Sequence, residues 1–75
     1  MIEIKDSSGR VVSTSKNLRG IIARTGKLGA PRATVEPKAT GATLRVHWHD
    51  GSHAVAEFAD ESICRKFCTK RNWEF

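Results

Sequence analysis

No apolar run in the sequence approaches the roughly 18 residues that a transmembrane helix requires. The start of the chain carries the acids Glu3 and Asp6, where a signal peptide would have a basic segment followed by an apolar one. We therefore expect a protein that is neither exported nor held in a membrane, and we predict a cytoplasmic location.

Cysteine is scarce, and its placement limits what it can do. Cys64 and Cys68 are four residues apart in one predicted helix, so their side chains share a face and a bond between them would close no long loop. Reduced thiols in a cytosolic protein are the simpler interpretation. An intermolecular disulfide, through whichever of Cys64 and Cys68 is exposed, is the alternative.

Catalytic motifs are absent as well. The segment Gly26–Gly29 lacks the Lys-Ser/Thr that follows in a phosphate-binding loop, and no Gly-x-Ser-x-Gly motif is present. His47, His49 and His53 are close in sequence, but their spacing matches no common zinc motif, and we expect the cysteines on the opposite side of the sheet. We predict no catalytic activity, no metal and no cofactor, with a zinc site at the histidines as a minor alternative.

A chain of 75 residues has room for one hydrophobic core, so residues 1–75 are predicted to form a single domain. Apolar residues make up 39% of the chain and charged residues 28%, which is typical of a folded, soluble protein. The core of so small a domain supplies only about 3–5 kcal/mol. One large-to-small core substitution could therefore unfold it.

The hydrophobic pattern predicts an α+β fold in the order ββα then βββα, with a small antiparallel sheet covered on one face by a C-terminal helix. Pro37 is expected to end an edge strand. The predicted elements are a hairpin over 2–14, a helix over 16–25 capped by Ser15 and stopped at Thr25-Gly26-Lys27, a loop over 26–31, a strand over 32–36, a hairpin over 42–58, and a helix from Asp60 to Arg71.

The strongest local signal is the alternation of apolar and polar residues around Asp50-Gly51. A three-residue loop with Gly51 in the left-handed conformation pairs Trp48 with Ser52 and keeps Glu57 off the apolar face. The same register pairs Val46 with Ala54 and Leu44 with Ala56. It predicts a buried face of Ala42, Leu44, Val46, Trp48, Ala54, Ala56 and Phe58, and an opposite face of Arg45, His47, His53, Val55 and Glu57.

The last helix should pack on the buried face, with Asp60 as its cap. Its apolar stripe is predicted to be Ile63, Cys64, Phe67 and Cys68, while Glu61, Arg65, Lys66, Thr69 and Lys70 face water. At the end of the sequence, Trp73 and Phe75 either fold back to seal the core or remain exposed as anchors for a partner, and the sequence favours the first.

Acids are missing from two long stretches. None lies between Asp6 and Glu36, and none between Glu61 and Glu74. With a net charge of +5, these stretches predict a positive surface that attracts phosphate backbones or acidic protein surfaces, although any single Lys or Arg is more often simply solvated. The candidate partner-binding residues are Arg19, Arg24, Lys27, Arg32, Arg65, Lys66, Lys70, Arg71 and Trp73.

Four segments of the sequence resemble small stand-alone proteins of phages and other mobile elements, including anti-CRISPR proteins. The segments are Ser15-Lys16-Asn17-Leu18-Arg19-Gly20-Ile21, Trp48-His49-Asp50-Gly51, Phe58-Ala59-Asp60 and Arg71-Asn72-Trp73. The resemblance implies a compact inhibitor that blocks a host nucleic-acid-processing complex by occupying a working surface. The basic charge of this chain favours an acidic or DNA-handling surface of that complex. The basic charge departs from the many acidic members and argues against mimicry of DNA. Direct nucleic-acid binding through the basic face is the alternative function. We expect a monomer or a weak homodimer.

Overall fold

The computed structural model describes residues 2–75 and has the predicted α+β fold, a five-stranded antiparallel sheet with two helices. Neither helix in this range is long and apolar enough to cross a bilayer. The elements are β1 (Ile2–Lys5), β2 (Val11–Ser15), α1 (Arg19–Leu28), β3 (Arg32–Lys38), β4 (Gly41–His47), β5 (His53–Phe58) and α2 (Glu61–Lys70).

The strands lie in the order β2-β1-β5-β4-β3, so the hairpin β1–β2 joins the hairpin β4–β5 through pairing of β1 with β5. The predicted register of β4–β5 is confirmed, with Val46 opposite Ala54. The Trp48 N–H donates to the Ser52 carbonyl at 2.9 Å, and Gly51 has a φ of +87°. The three-residue loop is therefore the one that the alternation predicted.

Both helices pack on one face of the sheet, where a single core forms. The predicted distribution of side chains between the two faces of β4–β5 is confirmed, although Phe58 is only partly buried. The fully or nearly buried apolar residues are Ile4, Ile21, Ala33, Ala42, Leu44, Val46, Trp48, Ala54, Ala56, Cys64, Cys68 and Trp73. The opposite face of the sheet, which we call the open face, carries no helix in the described range.

Helix α1 begins three residues later than predicted. Its N-cap is Leu18, and Ser15 does not cap it. Instead the Ser15 Oγ accepts a hydrogen bond from the Gly20 N–H at 3.2 Å, and the Asn17 Oδ1 accepts one from the Arg19 N–H at 2.9 Å. These side chains satisfy donors of the first turn from outside the helix, which allows the chain to leave β2 through a short loop before it coils.

Helix α1 also ends three residues later than predicted. Gly26 lies inside the helix and does not stop it. The stop is Gly29, which has a φ of +90° and donates its N–H to the Thr25 carbonyl at 2.8 Å. The extra turn brings Leu28 against the core, and this burial offsets the low helix propensity of Gly26.

Strand β3 forms an edge, as predicted, but Pro37 does not end it. The strand continues to Lys38, and Pro37 lies opposite Ala42. A proline is tolerated here because β3 is an edge strand and the backbone nitrogen of Pro37 faces away from β4, so no hydrogen bond between strands is lost. The same edge receives the end of the chain, since the Ala33 N–H donates to the Glu74 carbonyl at 3.0 Å.

Helix α2 is capped by Asp60, whose carboxylate accepts the Ser62 N–H at 2.8 Å. Cys64 and Cys68 face the sheet with no exposed surface. The placement of Ile63 in the buried stripe was wrong, because this side chain is 56% exposed. It is rotated by about 100° from Cys64 around the helix, away from the line through the two cysteines that meets the sheet.

Candidate partner-binding surface

Apart from Arg65, four of the predicted basic residues are exposed on the two helices. Arg19 and Lys27 belong to α1, and Lys66 and Lys70 belong to α2. None of the four forms an ion pair with another residue of the described chain. We call the exposed surface of α1 and α2 the helical side, and these four residues give it positive charge that is not held in ion pairs.

Arg32 lies on a different surface. It precedes the buried Ala33 in β3, and successive side chains of a strand point to opposite faces. Arg32 therefore projects from the open face, where it lies opposite His47. Arg32 was predicted among the partner-binding residues, but it lies on the face of the sheet opposite the helices and does not share a surface with the basic residues of α1 and α2.

Arg24 is tied to the fold. Its Nε donates to the Ser52 Oγ at 3.0 Å, and its Nη2 lies 3.2 Å from the Asp50 carboxylate. The guanidinium also lies 5.7 Å from the centroid of the Trp48 ring, whose indole N–H donates to the Thr25 Oγ1 at 3.2 Å. These contacts fasten α1 to the loop between β4 and β5, so we assign Arg24 a structural role.

Two more of the predicted residues, Arg71 and Trp73, pack in an aromatic cluster at the end of α2. Trp73 is 5% exposed and meets Phe67 edge-on, with ring centroids 5.3 Å apart. Phe67 in turn lies 5.8 Å from Phe58. The Arg71 guanidinium lies 4.2 Å from the Phe67 centroid, a favourable cation–π geometry. Trp73 thus folds back to seal the core, as the sequence favoured, and is not an exposed anchor.

Arg65 is engaged within its own helix. Its Nε lies 2.8 Å from the Glu61 carboxylate, which is the predicted i,i+4 pair. Its guanidinium is also 5.9 Å from the ring of Phe75, which is 49% exposed. The pair offsets one positive charge of α2. The Phe75 ring remains accessible, so the prediction that it folds back to seal the core was wrong.

The charges of the open face largely neutralise one another. Arg45 lies 3.2 Å from Glu36, and Lys38 lies 2.7 Å from Glu57. Hydrogen bonds from Lys38 and then from the Thr43 hydroxyl hold the pKa of Glu57 below its ordinary value. On the helices Arg24 and Arg65 are paired with Asp50 and Glu61, but Arg19, Lys27, Lys66 and Lys70 are not paired within the described residues, so the surplus positive charge lies mainly on the helical side.

The histidines and the cysteines lie on opposite faces of the sheet, as predicted. The rings of His47 and His53 stack across β4–β5 with centroids 5.8 Å apart, and His49 is exposed in the adjoining loop. Within residues 2–75 no group of three or more metal-ligating side chains is arranged to hold an ion. Burial raises the pKa of Cys68 to about 11, so this thiol is a poor nucleophile at neutral pH.

A groove between the two helices is the feature that the sequence pattern did not reveal. It has a volume of about 650 Å³ and lies between Leu18 and Ile22 of α1 and Phe67 of α2. Its floor comes from Ile2, Ala56 and Phe58. The spacing of Leu18 and Ile22 indicated one apolar helix face, but only the position of α2 leaves that face partly uncovered.

No family model matches this chain, and neither the curated proteins nor the solved structures contain a match.

Proposed function

We propose that the chain is a small, basic, non-catalytic binding protein that docks on an acidic surface of a partner protein through its helical side. The partner in this proposal is a host nucleic-acid-processing complex in the cytoplasm, as the resemblance to phage-encoded inhibitors implies, and docking blocks the working surface of that complex. The observation that carries the proposal is the separation of charge between the two sides of the sheet.

Charge separation of this kind favours a partner of opposite sign. On the helical side Arg19, Lys27, Lys66 and Lys70 form no ion pair within the described residues. On the open face Arg45 and Lys38 are paired with Glu36 and Glu57, and the bases left without an acid there are Lys5 and Arg32. Unpaired surface charge steers association and suppresses partners of like charge. A surface of this sign therefore selects acidic partners.

The test compares two double charge reversals that change the net charge equally. Lys27→Glu with Lys70→Glu alters the helical side, and Lys5→Glu with Arg32→Glu alters the open face. Each variant and the wild type would be used as bait in a nuclease-treated host lysate. We expect a stoichiometric protein to be retained by the wild type and the open-face variant and lost by the helical-side variant. Recovery of no such protein, or its loss from the open-face variant alone, would contradict the proposal.

Direct nucleic-acid binding is the second candidate, favoured by a row of side chains on the open face. Lys5 lies opposite His53, His53 opposite His47, and His47 opposite Arg32. This row crosses four strands and would follow a phosphate backbone. It predicts a gel shift whose affinity falls by about one log unit per log unit of salt for each phosphate contacted, and which the Lys5→Glu, Arg32→Glu variant abolishes. No shift at low salt would exclude this candidate.

A further inference from the structure

We infer that the groove between α1 and α2 is the specific recognition element of the helical side, and that it takes an acidic peptide segment carrying a large apolar side chain. The inference rests on the proposed function, because it names the part of the partner that the helical side contacts. The occupant follows from the shape of the groove, the chemistry of its walls and the charges at its ends.

The walls of the groove are apolar and incompletely covered. Ile22 belongs to α1, on whose inner face Ile21 is fully buried, yet Ile22 is 38% exposed and lines the groove together with Leu18. Across from it, Phe67 presents one side to the groove while Trp73 packs against it. A volume of about 650 Å³ is within the range of sites that bind small ligands or a few side chains.

The groove continues toward the end of α1. Ile22 also lines a second depression of about 270 Å³ that it shares with Gly26 and Arg71. Leu18, Ile22 and Gly26 follow one another at intervals of four residues, so they form a line about 12 Å long on one face of the helix. Gly26 lines this end, where a Cβ built on it would meet no atom within 4 Å, so a larger side chain has room there.

The charges at the groove favour an acidic occupant. Lys16 and Arg19 line one end, and Arg71 lines the other. Of the described residues that line the groove, Glu57 is the only acid, and its carboxylate accepts a hydrogen bond from Lys38 on the open face. Acidic side chains of an extended or helical segment would thus meet cations at both ends while an apolar side chain fills the middle. Nucleic acid fits less well, since its backbone would lie along an apolar wall.

Matched substitutions on α1 separate the groove from the rest of the helix. Gly26→Leu places a side chain in the groove, and Ile22→Glu puts a negative charge on its wall. The controls are Ala23→Leu and Ala23→Glu, because Ala23 is exposed on the same helix and lines neither depression. Circular dichroism and thermal melting would establish that all four variants are folded.

The probe is a random twelve-residue peptide display library selected against the wild-type protein. We expect the enriched peptides to combine several acids with Leu, Phe or Trp. Synthetic copies should bind Ala23→Leu as tightly as the wild type, and Ala23→Glu slightly more weakly because of its added negative charge. Gly26→Leu and Ile22→Glu should each bind about tenfold or more weakly than the matched Ala23 variant. In ¹⁵N-resolved titrations the shifts should map to Leu18, Ile22 and Phe67.

Enrichment of basic peptides, no enrichment above background, or equal binding to the groove and Ala23 variants would overturn the inference. So would displacement of the enriched peptides by a single-stranded oligonucleotide that itself binds Ile22→Glu more weakly than Ala23→Glu, since the groove would then be a nucleic-acid site. If peptides bind elsewhere while the lysate partner still depends on Lys27 and Lys70, the groove assignment fails and the proposed function stands. If peptides bind the groove and the lysate yields no partner, the groove assignment stands and the proposed function fails.

Discussion

The two glycines of α1 should respond in opposite directions to the same substitution. At Gly20 a Cβ would lie 2.6 Å from the Ser15 Cβ and 2.9 Å from its Oγ. At Gly26 a Cβ would meet nothing within 4 Å. Gly20→Ala and Gly26→Ala therefore have the same helix-propensity term and differ in the contact that each new methyl group makes.

The magnitudes follow from that difference. Alanine is favoured over glycine by about 0.8–1.0 kcal/mol inside a helix, so Gly26→Ala, near the helix end, should stabilise by about 0.5–1 kcal/mol. Overpacking typically costs about 1–3 kcal/mol, so Gly20→Ala should destabilise by about 1 kcal/mol after the same propensity gain. Because about 1 kcal/mol shifts the Tm of a domain of this size by roughly 4–8 °C, the two variants should melt about 10 °C apart.

Urea unfolding followed by tryptophan fluorescence would measure both free energies, since Trp48 and Trp73 are buried in the native state. The control is Gly20→Ala in a Ser15→Gly background, where the clashing atoms are gone and the alanine should be neutral or stabilising. The reasoning is refuted if Gly20→Ala stabilises as much as Gly26→Ala, or if its cost is unchanged when Ser15 is glycine.

Three further predictions concern the core, the turns and the thiols. Trp73→Ala should cost about 3–5 kcal/mol, close to the whole core contribution, and abolish the cooperative melt seen by near-ultraviolet circular dichroism. Serine hydroxyls hold the pKa values of Asp50 and Asp60 below their ordinary value. The ionised carboxylates therefore stabilise the fold above about pH 4, and this stabilisation is lost as pH falls through the native pKa. A Tm that is flat from pH 6 to pH 2.5 would contradict this. Cys68 should react with a disulfide reagent at pH 8 roughly a hundredfold or more slowly in the native than in the urea-unfolded protein, and equal rates would show that the thiol is accessible.

The β4–β5 hairpin could be predicted to the residue because all of its determinants are local. Alternation specified the faces, and the loop residues with Gly51 specified the register. Helix α1 could not be bounded in this way. Ser15 was predicted to cap its start, but the cap is Leu18, and the Ser15 hydroxyl accepts the Gly20 N–H across a loop. The last turn forms because Leu28 reaches a core made by distant strands.

In the candidate site, too, the features set by local sequence could be predicted and those set by long-range contacts could not. The surplus of positive charge was evident in the sequence. The sequence did not show which basic side chains form ion pairs or cation–π contacts within the fold. Arg24 meets Asp50 across 26 residues of sequence, and no spacing rule links them. The groove likewise arises where Ile22 and Phe67 come together from separate elements, so its existence depends on how both helices pack on the sheet.

The two edges of the sheet differ in a way that limits how copies of this chain could associate. Along β3, Pro37 offers no N–H and the Ala33 N–H already bonds to Glu74. Strand β2 is largely exposed and pairs with β1 alone in the described chain. A strand added to the sheet would therefore join at β2. Open-ended edge-to-edge association of sheets needs two edges that can each pair with another strand. Pairing of β2 with β2 of a second copy would therefore stop at two copies, and a fibre could not propagate through native sheets.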